Sequence, residues 1–433
     1  MKVINIGLIG LGTVGQGVVK TLLEKRVYFK NRLGFELRLK KVCEIDIKKI
    51  KKLSLPSAMV TKNAIDVLND AEIDIVVELI GGIHPAKEYI LTALKNNKYV
   101  VTANKALLAE EGKEIFSLLQ ERKLGLGFEA SVGGGIPIIK ALQESLIGNR
   151  IVSILGILNG TSNFILSEMY EKGCDFRSAL KLAQEKGYAE KNPYLDIEGI
   201  DSAHKLLILT LLGFGYQAEI KRIYVEGISD ISRYDILYAK ELGYVIKLLA
   251  VAKLEGNRLE MRVNPTFLPE RHLLASVRGI YNAVYIRGDM IGEAVFYGEG
   301  AGQMPAASSV ISDIVDLAKV IMGGTNYHPP SLFFSRKIKG LLPIQEAESR
   351  YYIRFMAIDK PGVLAKISGI LGRKKISIAS VSQKERRRAK FVPVVIITHE
   401  AREKDLRYAL KLIEKLDVVK EKPVAIRIEE LTA

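Results

Sequence analysis

Gly10-Leu11-Gly12-Thr13-Val14-Gly15 is the stretch whose reading decides the fold. It follows the apolar run Val3-Ile4-Asn5-Ile6-Gly7-Leu8-Ile9 and opens a helical pattern from Val14. A strand, a glycine turn and a helix in that order give the G-x-G-x-x-G spacing a mechanical meaning. Gly10 permits the tight turn, Gly12 lets a pyrophosphate approach the backbone, and Gly15 lets the helix pack closely on the sheet. The helix N-terminus then faces the phosphate charge. A glycine-rich turn without a ligand carries the same letters. Its place at the start of a βαβ-like segment favours a dinucleotide site.

Working outward, residues 1–150 alternate strands and helices. Strands are predicted at 3–9, 36–43, 74–80, 98–102 and 124–129, and helices near 14–28, 85–95, 106–121 and 137–147. That alternation predicts an α/β, Rossmann-like dinucleotide-binding domain with helices on both faces of a parallel sheet. From about residue 150 the texture changes. A strand is expected at 151–158, helices near 161–172, 176–186, 198–213 and 234–248, and strands at 259–263, 282–287 and 291–297. We read 151–302 as an α+β domain for substrate and dimerisation. A helix at 303–322 is expected to return to the first domain and complete it. Residues 324–349, with Gly323-Gly324 and Pro329-Pro330, read as a linker. Residues 350–433 run β-α-β-β-α-β, the ferredoxin-like order, with helices near 362–372 and 403–415.

Composition narrows the classes. A chain of 433 residues, 48% apolar, has room for two or three domains. Cys43 and Cys174 form no metal or redox spacing, which suits a reducing cytoplasm and excludes a disulfide scaffold. No cleavable leader is expected at the N-terminus, and no apolar run is long enough to span a membrane. The net charge of +15 is spread along the chain. Its densest cluster, Lys384 to Lys390, reads as a solvated hairpin loop rather than a nucleic-acid face, so no nucleic-acid or membrane partner is expected.

The chemistry-bearing residues follow from this frame. Glu44 and Asp46 end the second strand, where a carboxylate would accept from an adenosine ribose hydroxyl and repel a 2′-phosphate; Lys40, Lys41, Lys48 and Lys49 would attract that phosphate. The balance leans slightly toward NAD over NADP. Lys105 follows Thr102 at the carboxyl end of a strand, the edge where open α/β sheets bind ligands. Asp201 and Lys205 stand one helical turn apart in an otherwise apolar helix. Such a pair is either an ordinary i,i+4 contact or an oriented amine suited to exchanging a proton with an alcohol. Glu190 and Asp196 lie on the preceding loop, where they could hold a substrate ammonium. Glu129 precedes Gly133-Gly134-Gly135, a turn that could gather carbonyls around a hard cation or be a tight turn alone. The five histidines show no metal spacing, and no nucleophile elbow or P-loop is present.

Several stretches together resemble the homoserine dehydrogenase family in its monofunctional form. They are Gly-Leu-Gly-Thr-Val-Gly at 10–15, Val-Glu-Leu-Ile-Gly-Gly at 77–82 and Val-Val-Thr-Ala-Asn-Lys at 100–105. To these add Ile-Leu-Asn-Gly-Thr-Ser-Asn at 157–163, Gly-Tyr-Ala-Glu at 187–190, Asp196 to Lys205, and Tyr-Gly-Glu-Gly-Ala-Gly at 297–302. Tyr351 to Glu430, with Asp359-Lys360-Pro361-Gly362, is similar to an ACT regulatory domain, and no aspartate kinase segment is expected ahead of the glycine motif. The resemblance implies NAD(P)-dependent interconversion of L-homoserine and L-aspartate 4-semialdehyde, on the routes to threonine, methionine and isoleucine. It makes Lys205 the catalytic acid/base, Asp201 and Glu190 substrate contacts, and Thr13, Val14, Thr102, Lys105, Gly187 and Gly302 cofactor positions. It puts a sodium ion on Glu129 and the backbones of Val132, Gly134 and Ile136, and an amino-acid effector, threonine, near Asp359 and Gly362. It further implies a homodimer. Many relatives carry an arginine at the second-strand end to greet an NADP phosphate; this chain has Cys43-Glu44-Ile45-Asp46 there. Two rival classes are a different semialdehyde or amino-acid dehydrogenase and a non-catalytic amino-acid sensor. An acylating dehydrogenase would need a nucleophilic cysteine, and neither Cys43 nor Cys174 is placed for that.

Overall fold

The structure, a computed structural model, describes residues 2–323, 337–383 and 391–430. The chain forms two compact units. One comprises Met1–Gly160, Asp201–Arg222 and Tyr281–Arg336; the other comprises Thr161–Ile200, Ile223–Ile280 and Lys337–Ala433.

The first unit is built on a wholly parallel sheet. Its strands are β1 (Val3–Ile9), β2 (Glu36–Cys43), β3 (Val60–Thr61), β4 (Ile75–Glu78), β5 (Tyr99–Thr102) and β6 (Leu126–Gly127). They lie in the order β3-β2-β1-β4-β5-β6, so the chain reverses direction across the sheet between β1 and β4. Ligands of doubly wound sheets sit at that reversal, outside the carboxyl ends of the strands. The connecting helices are α1 (Thr13–Glu24), α2 (Arg26–Leu33), α3 (Ile47–Lys52), α4 (Ile65–Leu68), α5 (Ala86–Lys95) and α6 (Lys105–Arg122). Ile6 and Leu8 of β1 pack against Val18 and Leu22 of α1 and against Ile314 of the late helix Gln303–Gly323. Gly17 makes that helix pairing close: a Cβ there would stand 2.9 Å from the Gln303 carbonyl. In the same unit Ile151–Ile157, Tyr281–Gly288 and Gly292–Glu299 form antiparallel pairs.

In the second unit, Tyr244–Glu255 and Arg258–Pro269 make a long hairpin turning at Gly256, whose φ is +61°. The ferredoxin-like part follows: Glu348–Ile358, helix Val363–Arg373, Ile378–Gln383, Phe391–Thr398, helix Glu403–Glu414 and Val424–Ile428. Its last strand pairs with the hairpin, Thr266 opposite Arg427 and Phe267 opposite Ile428. Buried ion pairs reinforce the junction. Arg354 donates to Asp235 at 2.7 Å, and Arg262 donates to Glu260 and Glu429 at 2.6 Å each.

Three expectations are corrected. The helix expected at 14–28 divides at Lys25 into α1 and α2, which accounts for the long path from the glycines to Glu44. The helix expected at 234–248 ends at Glu241; Gly243, at φ +76°, turns the chain, and Tyr244 begins a strand. Val245 to Ala252 is apolar on both faces but for Lys247, and a run buried on both sides shows no period that separates strand from helix. Part of the expected linker is sheet, since Gly340–Leu341 pairs with Arg258 and Leu259; residues 324–336 and the Lys384–Lys390 cluster lie outside the described residues.

Candidate functional site

The glycine turn joins β1 to α1 under tight contacts. Gly10 has φ +103°, and a Cβ on it would lie 2.8 Å from the Leu79 carbonyl. A Cβ on Gly15 would lie 2.1 Å from the Gly10 carbonyl, so this glycine serves the turn itself more than the sheet packing expected of it. The space over Gly12 is open, with only the Leu79 carbonyl 3.9 Å from such a Cβ. α1 has no side-chain cap and no acidic residue in its first turn, so the amides around Thr13 and Val14 suit a phosphate.

Glu44 is fastened to this turn. Its Oε2 accepts from the Leu11 N–H at 2.7 Å, and its Oε1 accepts from the N–H groups of Ile45 and Asp46 at 2.9 and 3.0 Å. The Lys49 ammonium stands 3.7 Å from Oε2. Asp46 is engaged as well, capping α3 through the Lys48 N–H. The carboxylate expected to greet a ribose is therefore committed to backbone amides. Cys43, beside it, is buried, and burial with the Glu44 charge pushes its thiol up to about 11, which leaves it a poor nucleophile.

Asp201 organises the other cluster. It opens the helix Ile200–Phe214, whose next turns are buried leucines and isoleucines. Its Oδ2 accepts from Lys205 Nζ at 2.7 Å and from Asn159 Nδ2 at 2.9 Å, and its Oδ1 lies 2.6 Å from Lys105 Nζ. Lys205 also donates to the Leu158 carbonyl at 2.6 Å. Burial would raise the Asp201 carboxyl, but the two ammonium groups outweigh it and hold the acid well below the usual carboxylate range. One permanent carboxylate thus aligns two amines, Lys205 buried and Lys105 half-exposed. Lys105 reaches this pair because Asn104 caps α6, accepting from the Leu107 N–H at 3.2 Å. Its place at a strand end and the family resemblance gave Lys105 a cofactor position; its ammonium pairs with Asp201. Asn159 was not singled out, although it sits in the quoted stretch 157–163.

Gly187 and Glu190 belong to the second unit. Gly187, at φ +73°, follows the helix Phe176–Glu185. Thr161 donates to the Tyr188 carbonyl at 2.6 Å and Ser162 to the Asp196 carbonyl at 2.7 Å, so the loop carrying the exposed Glu190 is tied down. In the ferredoxin-like part Gly362, at φ +87°, begins the helix Val363–Arg373, and Asp359 accepts from Gln383 at 3.4 Å.

At the glycine turn after Glu129 the carboxylate is engaged with the backbone. The Glu129 carboxylate accepts from the N–H groups of Ile139 and Lys140 at 2.8 and 2.9 Å, so the side chain stabilises a helical turn. The carbonyls of Glu129, Val132, Gly134 and Ile136 are neutral oxygens; that of Glu129 accepts from the Val132 N–H at 3.4 Å and that of Ile136 from the Ile138 N–H at 2.8 Å. Gly134, at φ +56°, packs on Gly300, and its carbonyl accepts from Ser309 at 2.6 Å. Neutral oxygens suit a monovalent cation better than a divalent one. Gly302, at φ +133°, precedes the helix Gln303–Gly323. Among the described residues no cluster of three or more His, Cys, Asp or Glu is placed to hold a metal, and no helix is long and apolar enough to cross a membrane.

Comparison with known proteins converges on one family. The profile "Homoserine dehydrogenase" matches residues 137–315, "Homoserine dehydrogenase, NAD binding domain" matches 10–128, and "ACT domain" matches 351–418. A homoserine dehydrogenase of Neisseria gonorrhoeae is 46% identical over 100% of both chains, and one of Bacillus subtilis is 38% identical over 99% of both. The crystal structure of a homoserine dehydrogenase from Thiobacillus denitrificans superposes with a TM-score of 0.93 at 45% identity, covering 100% of this chain and 99% of that one. A hyperthermophilic archaeal homoserine dehydrogenase in complex with NADPH matches at 27% identity and a TM-score of 0.63, covering 73% of this chain and 98% of that one. With a Rossmann-like sheet, an ACT domain and full-length likeness of this order, the chain belongs to the homoserine dehydrogenase family of NAD(P)-dependent oxidoreductases acting on a CH–OH group.

Proposed function

We propose that the Lys105–Asp201–Lys205 cluster is the reacting centre for the interconversion of L-homoserine and L-aspartate 4-semialdehyde. The observation that carries this is the buried carboxylate shared by two amines, 2.7 Å from one and 2.6 Å from the other. As a neutral amine, Lys205 accepts the proton of the homoserine hydroxyl as its carbon becomes a carbonyl; as an ammonium it returns that proton in the reverse direction. Asp201 and the Leu158 carbonyl orient the amine for that exchange. Lys105 adds a second positive group beside the oxygen whose charge changes. The nicotinamide supplies the hydride acceptor, or donor, when bound.

The residues that would hold the cofactor are Gly10, Gly12, Thr13, Val14 and Gly15, with Thr102 and Gly302. The slight preference for NAD rested on an available carboxylate at the second-strand end. With Glu44 spent on the Leu11 amide and Lys49 beside it, that support is gone. We assign the chain dual use of NAD and NADP. A monovalent cation, sodium, is held by the carbonyls of the 129–136 turn. The chain acts in the cytoplasm, in keeping with its free cysteines, and binds threonine near Asp359 and Gly362. It works as a homodimer, through a face on which Tyr281 and Tyr297 stack with both rings exposed.

The test is the rate of reduced-nicotinamide formation from homoserine with each cofactor, in the parent chain and in Lys205→Ala. Comparable kcat/KM for the two cofactors supports dual use. Full turnover by Lys205→Ala overturns the assignment of the acid/base.

A further inference from the structure

The stretch Val-Glu-Leu-Ile-Gly-Gly at 77–82 has so far been given no task of its own. Its glutamate is the last residue of β4 and is completely buried. A carboxyl with no access to water and no cation beside it is costly unless donors surround it. Here they do. Oε2 accepts from the Thr102 hydroxyl at 2.7 Å and Oε1 from the Ile80 N–H at 2.8 Å.

The bonds then continue in one direction. Thr102, ending β5, accepts on its hydroxyl oxygen from the Asn104 N–H at 3.0 Å. Asn104 accepts from the Leu107 N–H and donates from Nδ2 to the Gly82 carbonyl at 2.5 Å. The next residue is Lys105, the first of α6, with its ammonium 2.6 Å from Asp201. Glu78 therefore joins the ends of two neighbouring strands to the cap of the helix that carries one of the two amines. Glu78, Thr102 and Asn104 are all buried.

We propose that Glu78 is a positioning residue for the reaction: through Thr102 and Asn104 it sets where the Lys105 ammonium stands against Asp201. This rests on the reading of Lys105 as part of the reacting centre. A helix start held by two buried side-chain bonds has little freedom to shift, and a displacement of about 1 Å in a positioning group can cost roughly a hundredfold in rate. The competing role is local. Glu78 could serve only the turn from Leu79 to Gly82, whose Leu79 carbonyl packs on Gly10, and so affect cofactor binding alone. The branch through Thr102 speaks for the longer reach, because it leaves that turn and enters α6.

The experiment is a double-mutant cycle in the full chain. Glu78→Gln, Thr102→Val, Thr102→Ser and Lys105→Met are made singly, and the first two are also combined with Lys105→Met. Turnover, homoserine KM, reduced-cofactor affinity by fluorescence titration and thermal melting are measured. At saturating cofactor we expect Glu78→Gln and Thr102→Val each to lower kcat roughly tenfold to a hundredfold, and cofactor affinity to stay within about twofold in Glu78→Gln. Thr102→Ser, which keeps the hydroxyl, restores turnover. In the Lys105→Met background both substitutions should cost less than about twofold more, because the group they position is gone. If Glu78→Gln does not fold, the Thr102→Val arm carries the same cycle. Additive losses on a crippled Lys105→Met enzyme, or a loss confined to cofactor affinity, overturn the role of Glu78 and leave the site standing. Normal turnover by Lys105→Met alone overturns the site and the positioning role together.

Discussion

Replacing Lys205 by methionine separates the chemistry of the amine from its packing. The substitution keeps a stem of similar length and removes the bonds to Asp201 at 2.7 Å and to the Leu158 carbonyl at 2.6 Å. Asp201 is not orphaned, because Lys105 at 2.6 Å and Asn159 at 2.9 Å remain. The Leu158 carbonyl loses a donor, at a cost of about 1–3 kcal/mol. Removing a buried ammonium offsets part of that loss. The fold should therefore survive with a modest drop in melting temperature. Losing a general acid/base costs about 10²–10⁴ in rate, or roughly 3–5 kcal/mol of transition-state stabilisation. Asp201 and Leu158 both lie outside the Gly10–Gly15 turn, so cofactor affinity should stay near that of the parent chain. The assay is reduced-nicotinamide absorbance across pH, with cofactor titration and a melting curve on the same preparation. Turnover within about threefold of the parent, with the same pH profile, would refute the assignment.

Three further outcomes follow from the geometry. Asp201→Asn removes the negative partner from two amines at once, so it should lose both turnover and stability, the latter by about 3–5 kcal/mol in a melting or denaturant titration. Gly12→Ala should fold normally and weaken cofactor binding, because only the Leu79 carbonyl, 3.9 Å away, meets the new methyl; Gly15→Ala, 2.1 Å from the Gly10 carbonyl, should fail to make a soluble turn at all. Lys247 is buried and donates to the neutral oxygens of Asn163 and Val277; burial, with Arg278 helping and Glu171 opposing, pushes its amine down to about 7. Its folded value lies below its unfolded one, so its contribution to stability rises between about pH 7 and 10 and its penalty is complete below 7. Lys247→Met should therefore gain on the parent chain most at low pH, and melting curves that stay parallel from pH 6 to 10 would contradict this.

Much of the fold was legible because its signals are local. The glycine turn lies at the strand-to-helix junction its spacing requires, and β1 and β2 run as expected at 3–9 and 36–43. Tyr244–Glu255 escaped because burial on both faces erases the alternation that marks a strand. The short α3 and α4, of six and four residues, offer too few turns for any period to show. At the site, the Asp201–Lys205 pair was readable from a single helical turn. The 2.6 Å approach of Lys105 was not, since it joins residues 96 positions apart. The fate of Glu44 was also hidden, because whether a carboxylate faces solvent or a backbone amide depends on how Leu11 is turned. Glu129 shows the same limit: its letter suggests a cation ligand, and its position makes it the acceptor of a helical turn.

The shared ladder between Arg258–Pro269 and Val424–Ile428 bears on how sensory modules are gained or exchanged. A module hung on a tether can be swapped by splicing at the tether. This one contributes a strand to its host and lends Glu429 to the host's Arg262. Truncation near residue 350 would bare a sheet edge and leave a buried guanidinium short of one counter-ion. A foreign sensor grafted there would have to reproduce both the register and the acid, so chimeras should be judged first by whether they stay dispersed, and only then by what they sense.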